Sequence, residues 1–156
     1  MRKLISLIFL LLVFVNVTFA ETGSDNNFQY ILSTEEESFF FDTKSVKFLS
    51  ENIIEVSYRK QYSEKGKQEQ IESARHLFGD QFNDIQYEDI QVNLDIKDQK
   101  SKVLIIKCFD SKGNVIHCFN MAGSMWCPVS YSARETKKYQ SVVNYAKEHF
   151  NNLSNE

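Results

Sequence analysis

One proline and five glycines in 156 residues leave little material for linkers or low-complexity segments. Three cysteines are present, with neither the C-x-x-C of a thioredoxin-type site nor the close cysteine pair of a structural zinc site. The three histidines, His76, His117 and His149, fall in separate segments. There is no G-x-S-x-G elbow, no H-E-x-x-H and no phosphate-binding glycine loop. The expectation is therefore a protein that is not an enzyme, with no catalytic residues, no metal and no cofactor.

Basic residues are in deficit, 18 against 21 acids. The long apolar run is at the N-terminus, in "MRKLISLIFLLLVFVNVTFA". Arg2 and Lys3 precede an almost unbroken apolar stretch from Leu4 to Val17, and Thr18-Phe19-Ala20 supplies small residues before Glu21. That is the layout of a cleaved secretory signal, residues 1–20. The run is shorter than the roughly 20 residues of a membrane span, so no membrane insertion of the mature chain is expected. No cysteine follows the leader to carry a lipid. Export places the protein in the periplasm, on the cell surface or outside the cell. Removing twenty of 156 residues leaves 136, with 16 basic residues against 21 acidic ones, a net charge near −5. Such a chain makes one domain with one core. Its acidity argues against nucleic acid, which needs a basic face.

What is there is mostly strand pattern. Residues 21–27 read as a loose polar arm, 28–152 as the domain and 153–156 as a disordered tail, with an Asn152-Leu153-Ser154 glycosylation triplet at that end. "FQYIL" and "SFFFD", separated by the acidic "STEEE", predict a hairpin rich in strand-favouring aromatics. Phe39, Phe40 and Phe41 in a row put aromatics on both faces of one strand, either as core on each side or as an exposed contact for a partner. In "NIIEVSYRKQY", Ile54, Val56, Tyr58 and Tyr62 share one parity while Glu55, Ser57, Arg59 and Gln61 share the other. The strictest alternation is Ile90, Val92, Leu94 and Ile96 against Gln91, Asn93, Asp95 and Lys97, the mark of an antiparallel strand with one wet face. "VLIIKCF", "DSKGN" and "VIHCF" continue the meander, with Gly113 at the left-handed turn position.

Two helices are predicted. Ile71, Ala74, Leu77 and Phe78 line one face of "KQEQIESARHLF". Towards the C-terminus, Ser132 and Glu135 form a capping box, and Tyr139, Val142, Val143, Ala146 and Phe150 then recur at helical spacing. Pro128 breaks the strand ahead of it. The fold class is α+β: an antiparallel sheet of about six strands, meander-rich, packed against a C-terminal helix.

The stretch "KCFDSKGNVIHCFNMAGSMWC" holds all three cysteines and His117. Adjacent strand residues face opposite ways, so His117 and Cys118 cannot share a metal unless the strand is bulged. Leu104, Ile106 and Cys108 form an inward row beside Ile116 and Cys118. In an oxidising compartment a disulfide is the more credible use of sulfur. A tight hairpin turning at Ala122-Gly123 would set Cys118 opposite Cys127. Cys108 bonded to either, or three free buried thiols, are the alternatives.

The order of segments resembles the surface-adhesin protein E family across nearly all of the mature chain. "FFFDTKSV" has Asp42 and Ser45 at the family's aromatic-Asp-x-x-Ser step. Asp110 and Gly113 match its Asp-x-x-Gly turn, and Trp126 and Pro128 match a Trp followed by Pro before a terminal helix. The resemblance implies a small exported bacterial domain, an antiparallel sheet with a C-terminal helix, that adheres to host extracellular protein. It carries no catalytic or ligand-binding residue onto a position here. Members often place a cysteine in the strand matching "IQVNLDI" and another near the end of the last helix, where this chain has none.

The expected function is an exported, adhesin-like binding protein that recognises a host or envelope macromolecule, such as an extracellular-matrix protein, through its sheet face or an edge strand. An edge strand is also a natural homodimer seam. The alternative expectation is a periplasmic module holding a small apolar ligand between sheet and helix.

Overall fold

A computed structural model describes residues 27–150. The expected secretory leader, nearly all of the expected N-terminal arm, the glycosylation triplet and the expected C-terminal tail lie outside the described residues.

Eight strands form one antiparallel sheet. Its main path runs β1 (Phe28–Ser33), β2 (Glu37–Asp42), β4 (Ile53–Tyr62), β5 (Ile85–Asp95), β6 (Lys100–Asp110) and β7 (Val115–Asn120). Two short strands fill in beside it: β3 (Lys47–Ser50) pairs with β4, and β8 (Cys127–Pro128) pairs with β6. Helix α1 (Glu64–Phe78) connects β4 to β5, and α2 (Ala133–Phe150) closes the described chain. This is the expected α+β sheet with its terminal helix.

Local chemistry accounts for the punctuation. The Thr34 hydroxyl accepts the amides of Glu36 and Glu37, both at 3.2 Å, and tightens the β1–β2 turn. Asp110 accepts the amides of Lys112 and Asn114 at 2.9 and 2.7 Å, with Gly113 at φ 82° in the left-handed region, as predicted. Helix α1 begins earlier than the apolar pattern suggested because the Ser63 side chain accepts the Gly66 amide at 3.2 Å. At α2 the Ser132 hydroxyl accepts the Glu135 amide at 3.1 Å, half of the predicted capping box. The Glu135 carboxylate turns instead to Lys138, 2.8 Å away.

Both helices lie on one face of the sheet. Register fixes this: Tyr58 and Tyr62 share a parity of β4, and Tyr58 belongs to the α2 core while Tyr62 belongs to the α1 core. The α2 core buries Phe39, Phe41, Ile54, Val56, Val92 and Leu94 beneath Tyr139, Val142, Val143 and Ala146. The α1 core is smaller, with Ala74, Phe82, Ile85 and Cys108 beside Tyr62. Between them runs a strip of charge. Lys60 reaches Glu88 at 2.8 Å and Glu37 at 3.8 Å, and Glu37 meets Arg134 at 2.6 Å.

Candidate functional site

The opposite face of the sheet carries neither helix, and cross-strand register arranges its side chains in rows. One row runs Phe40, Arg59, Asp89, Lys107 and Cys118 across β2, β4, β5, β6 and β7. The next runs Ser57, Gln91, Ile105 and Asn120, with Asp42 following on β2. Between the rows lies a cavity of about 340 Å³, walled by Phe28 and Phe109 and lined by Asp42, Ser57, Gln91 and Lys107.

Arg59 organises this face. It donates to both carboxylate oxygens of Asp89, at 2.8 and 2.9 Å, a bidentate pair of the stronger kind. Its guanidinium lies 4.1 Å from the Phe28 ring centre and 4.3 Å from that of Tyr87. Tyr87 in turn stacks on Phe109 at 4.6 Å with the rings 11° from parallel. Phe28, Arg59, Tyr87 and Phe109 thus form a ladder of flat groups across the sheet. Partial burial pushes the Tyr87 hydroxyl up, while the Arg59 charge pulls it down. Tyr30, more than half exposed, meets Phe40 edge-on at 5.7 Å.

The Lys107 ammonium, the Ser57 hydroxyl and the Gln91 amide make no side-chain hydrogen bond or ion pair among the described residues, and Lys107 is exposed. Further along β5, the buried Asn93 Oδ1 likewise finds no partner. A side chain that already bonds its neighbours resists a ligand. These do not.

A second cleft, about 440 Å³, opens on the helix-bearing side between α1 and the β1–β2 turn, with Glu37, Lys60 and Tyr62 among its lining. Behind it the Glu88 carboxylate accepts the Tyr62 hydroxyl at 2.7 Å and the Cys108 thiol at 3.9 Å, besides pairing with Lys60. Burial, then the Glu88 charge, push the Cys108 thiol up to about 12 against the opposing pull of Lys60. Burial raises Tyr62 as well. At neutral pH these groups hold their protons, so the cluster ties strands together and offers no thiolate or phenolate for attack.

The sulfur predictions need correction. Cys118 and Cys127 are exposed free thiols, and Cys108 is a buried one. No hairpin sets Cys118 against Cys127: Cys118 lies opposite Lys107 and Cys127 opposite Ser101, six positions apart along β6. Six residues of strand span about 20 Å, far beyond the reach of a disulfide. Cys118 also leaves the inward row assigned to it. A bulge places Ile116 as an extra residue opposite the Cys108–Phe109 step, which turns His117 inward and Cys118 outward. His117 accordingly packs on Phe78, Phe82 and Phe119, on the face opposite Cys118. Among the described residues no three His, Cys, Asp or Glu side chains gather as a metal site. No helix of the described residues is long and apolar enough to cross a membrane.

The three phenylalanines divide as their parity requires. Phe39 and Phe41 are buried under α2, and Phe40 is half-buried on the open face. Sequence reasoning placed Ser57, Arg59 and Gln91 on wet faces without bringing them together. It missed Tyr87, Lys107 and Phe109. Their signal was aromatic and basic residues at solvent parity, which only a known register turns into a site.

Comparison with known proteins finds no matching family, no similar curated protein and no similar solved structure. The class is set by fold alone, an α+β domain with both helices on one side of an antiparallel sheet.

Proposed function

We propose that this protein is an exported, non-enzymatic binding protein of adhesin type, which recognises a host or envelope macromolecule through the open face of its sheet. The observation that carries the reading is the aromatic and cationic ladder on that face. Phe28, Arg59, Tyr87 and Phe109 are residue types enriched where proteins bind each other, and they reach from edge strand β1 across β4 and β5 to β6 with no helix over them. The leader supports export. The likeness of segment order to the surface-adhesin protein E family supports adhesion.

The apolar-carrier alternative finds less support. The space between α2 and the sheet is filled by Phe41, Val56 and Val142, all fully buried, and both cavities described above are lined with charged and amide groups.

The experiment is binding of labelled mature protein to immobilised extracellular-matrix preparations and to intact host cells. Saturable binding is expected. The double variant Phe40→Ser with Lys107→Glu abolishes it, and Lys137→Glu, on the exposed side of α2, leaves it unchanged. Absence of saturable binding, or equal binding by all three proteins, overturns the reading.

A further inference from the structure

We infer that the cavity on the open face takes a saccharide, one or two sugar rings of a larger glycan; this rests on the binding role proposed above and names its ligand. The argument is one of matching chemistry. A ligand in this cavity meets a donor without acceptors in Lys107, an acceptor without donors in Asp42, one of whose oxygens also caps the Lys44 amide at 3.0 Å, and groups of both kinds in Ser57 and Gln91. Ser57 and Gln91 pair directly across β4 and β5. Asp42 follows Phe41, the partner of Tyr58, and Lys107 stands two residues from Ile105, the partner of Gln91, so all four line one volume.

Charge excludes most other ligands. Lys107 and Arg59 are balanced by Asp42 and Asp89, and Arg59 is held by Asp89. A phosphate or nucleic-acid backbone would meet two carboxylates along with the cations. An apolar ligand would bury the Ser57 hydroxyl and the Gln91 amide without partners, and buried polar groups left unpaired are costly. What remains is an uncharged molecule, dense in hydroxyls that both donate and accept, with an apolar flank for Phe28, Phe109 and Ile105. A pyranose ring is such a molecule: its hydroxyls radiate at the edge, and its C–H groups can lie against an aromatic ring. The cavity, about 340 Å³, has room for one or two such rings.

The test uses nitrogen-15 NMR of the mature protein with methyl glycosides of galactose, glucose, mannose and N-acetylglucosamine, and with lactose, each to about 10 mM, enough to nearly fill a site of about 1 mM affinity. The expected result is saturable shifts of the amides of Ser57, Gln91 and Lys107 with at least one sugar. Gln91→Ala and Lys107→Met, both at partly or fully solvent-exposed positions, weaken that binding about tenfold or more while retaining the wild-type spectrum elsewhere. No shift at these amides with any sugar overturns the inference, as do shifts that both variants leave unchanged. A second measurement separates this failure from failure of the binding role. If the matrix preparation is stripped of glycans enzymatically and still binds in a Lys107-dependent way, the open face is an adhesive surface and the saccharide assignment is wrong. If binding disappears with the glycans and free sugar competes for it, the assignment stands.

Discussion

At Gly66, near the start of α1, a Cβ atom would overlap the carbonyl oxygen of Glu36 in the β1–β2 turn. The helix is docked there by the Ser63 amide on that same carbonyl, at 2.8 Å, and by the Ser63 hydroxyl on the Glu35 carbonyl at 2.7 Å. In an isolated helix glycine to alanine stabilises by about 1 kcal/mol. Here the overlap is with backbone, which cannot rotate away, so Gly66→Ala should destabilise by roughly 1–3 kcal/mol, the usual cost of overpacking. Urea unfolding checks the sign, and a more stable variant would mean the turn yields freely. The cysteines give a second prediction. At pH 8 a water-soluble disulfide reagent should titrate Cys118 and Cys127 quickly and Cys108 only on unfolding. The folded Cys108 pKa, near 12, lies above its ordinary 9.0, so the native state keeps a proton that the unfolded chain releases. Stability from this group is intact below pH 9 and is lost as pH rises toward 12, at up to about 1.4 kcal/mol per pH unit. Between pH 8 and pH 10.5 the urea midpoint of Cys108→Ala should therefore fall less than that of the wild type, and equal falls would refute the assignment.

Among the elements, those with a regular period were legible and those without one were not. In β5 the alternation of Ile90, Val92 and Leu94 with Gln91, Asn93 and Asp95 read directly as a strand, because burial on one side only leaves that imprint. The stripe from Tyr139 to Ala146 read as α2 for the same reason. Strand β3 was invisible, since all four of its residues are exposed and nothing alternates. The β7 bulge was equally hidden, and with it the outward turn of Cys118, because an extra residue reverses parity without changing composition. The open-face site failed on register: no pattern within β4 or β5 says that Arg59 pairs with Asp89, yet that pairing builds the ladder. The α2 contact with the sheet is testable at its centre. Phe41 is fully buried and meets the Tyr145 ring at 5.3 Å, so Phe41→Ala should cost about 3–5 kcal/mol in chemical unfolding. A cost below about 1 kcal/mol would mean that α2 is loosely seated.

On the scale of the whole molecule, the sheet divides its labour between faces, and the helix-bearing face is itself uneven. Helix α2 buries five residues, four of them in the core shared by β2, β4 and β5. Helix α1 buries only Gly66 and Ala74. The charged strip of Lys60, Glu37 and Arg134 separates the two, so little apolar contact couples one helix to the other. Cooperative opening follows buried apolar surface, and a helix with little of it detaches before the domain unfolds. Native-state hydrogen exchange in low denaturant should therefore show α1 amides opening well below the global free energy, while those of α2, β4 and β5 exchange only with global unfolding. Ligand on the open face contacts strands and not α1, so bound ligand should slow exchange in β4 and β5 and leave the sub-global opening of α1 unaltered. If both helices open at one free energy, the charged strip is a cooperative link, and the two cores behave as one.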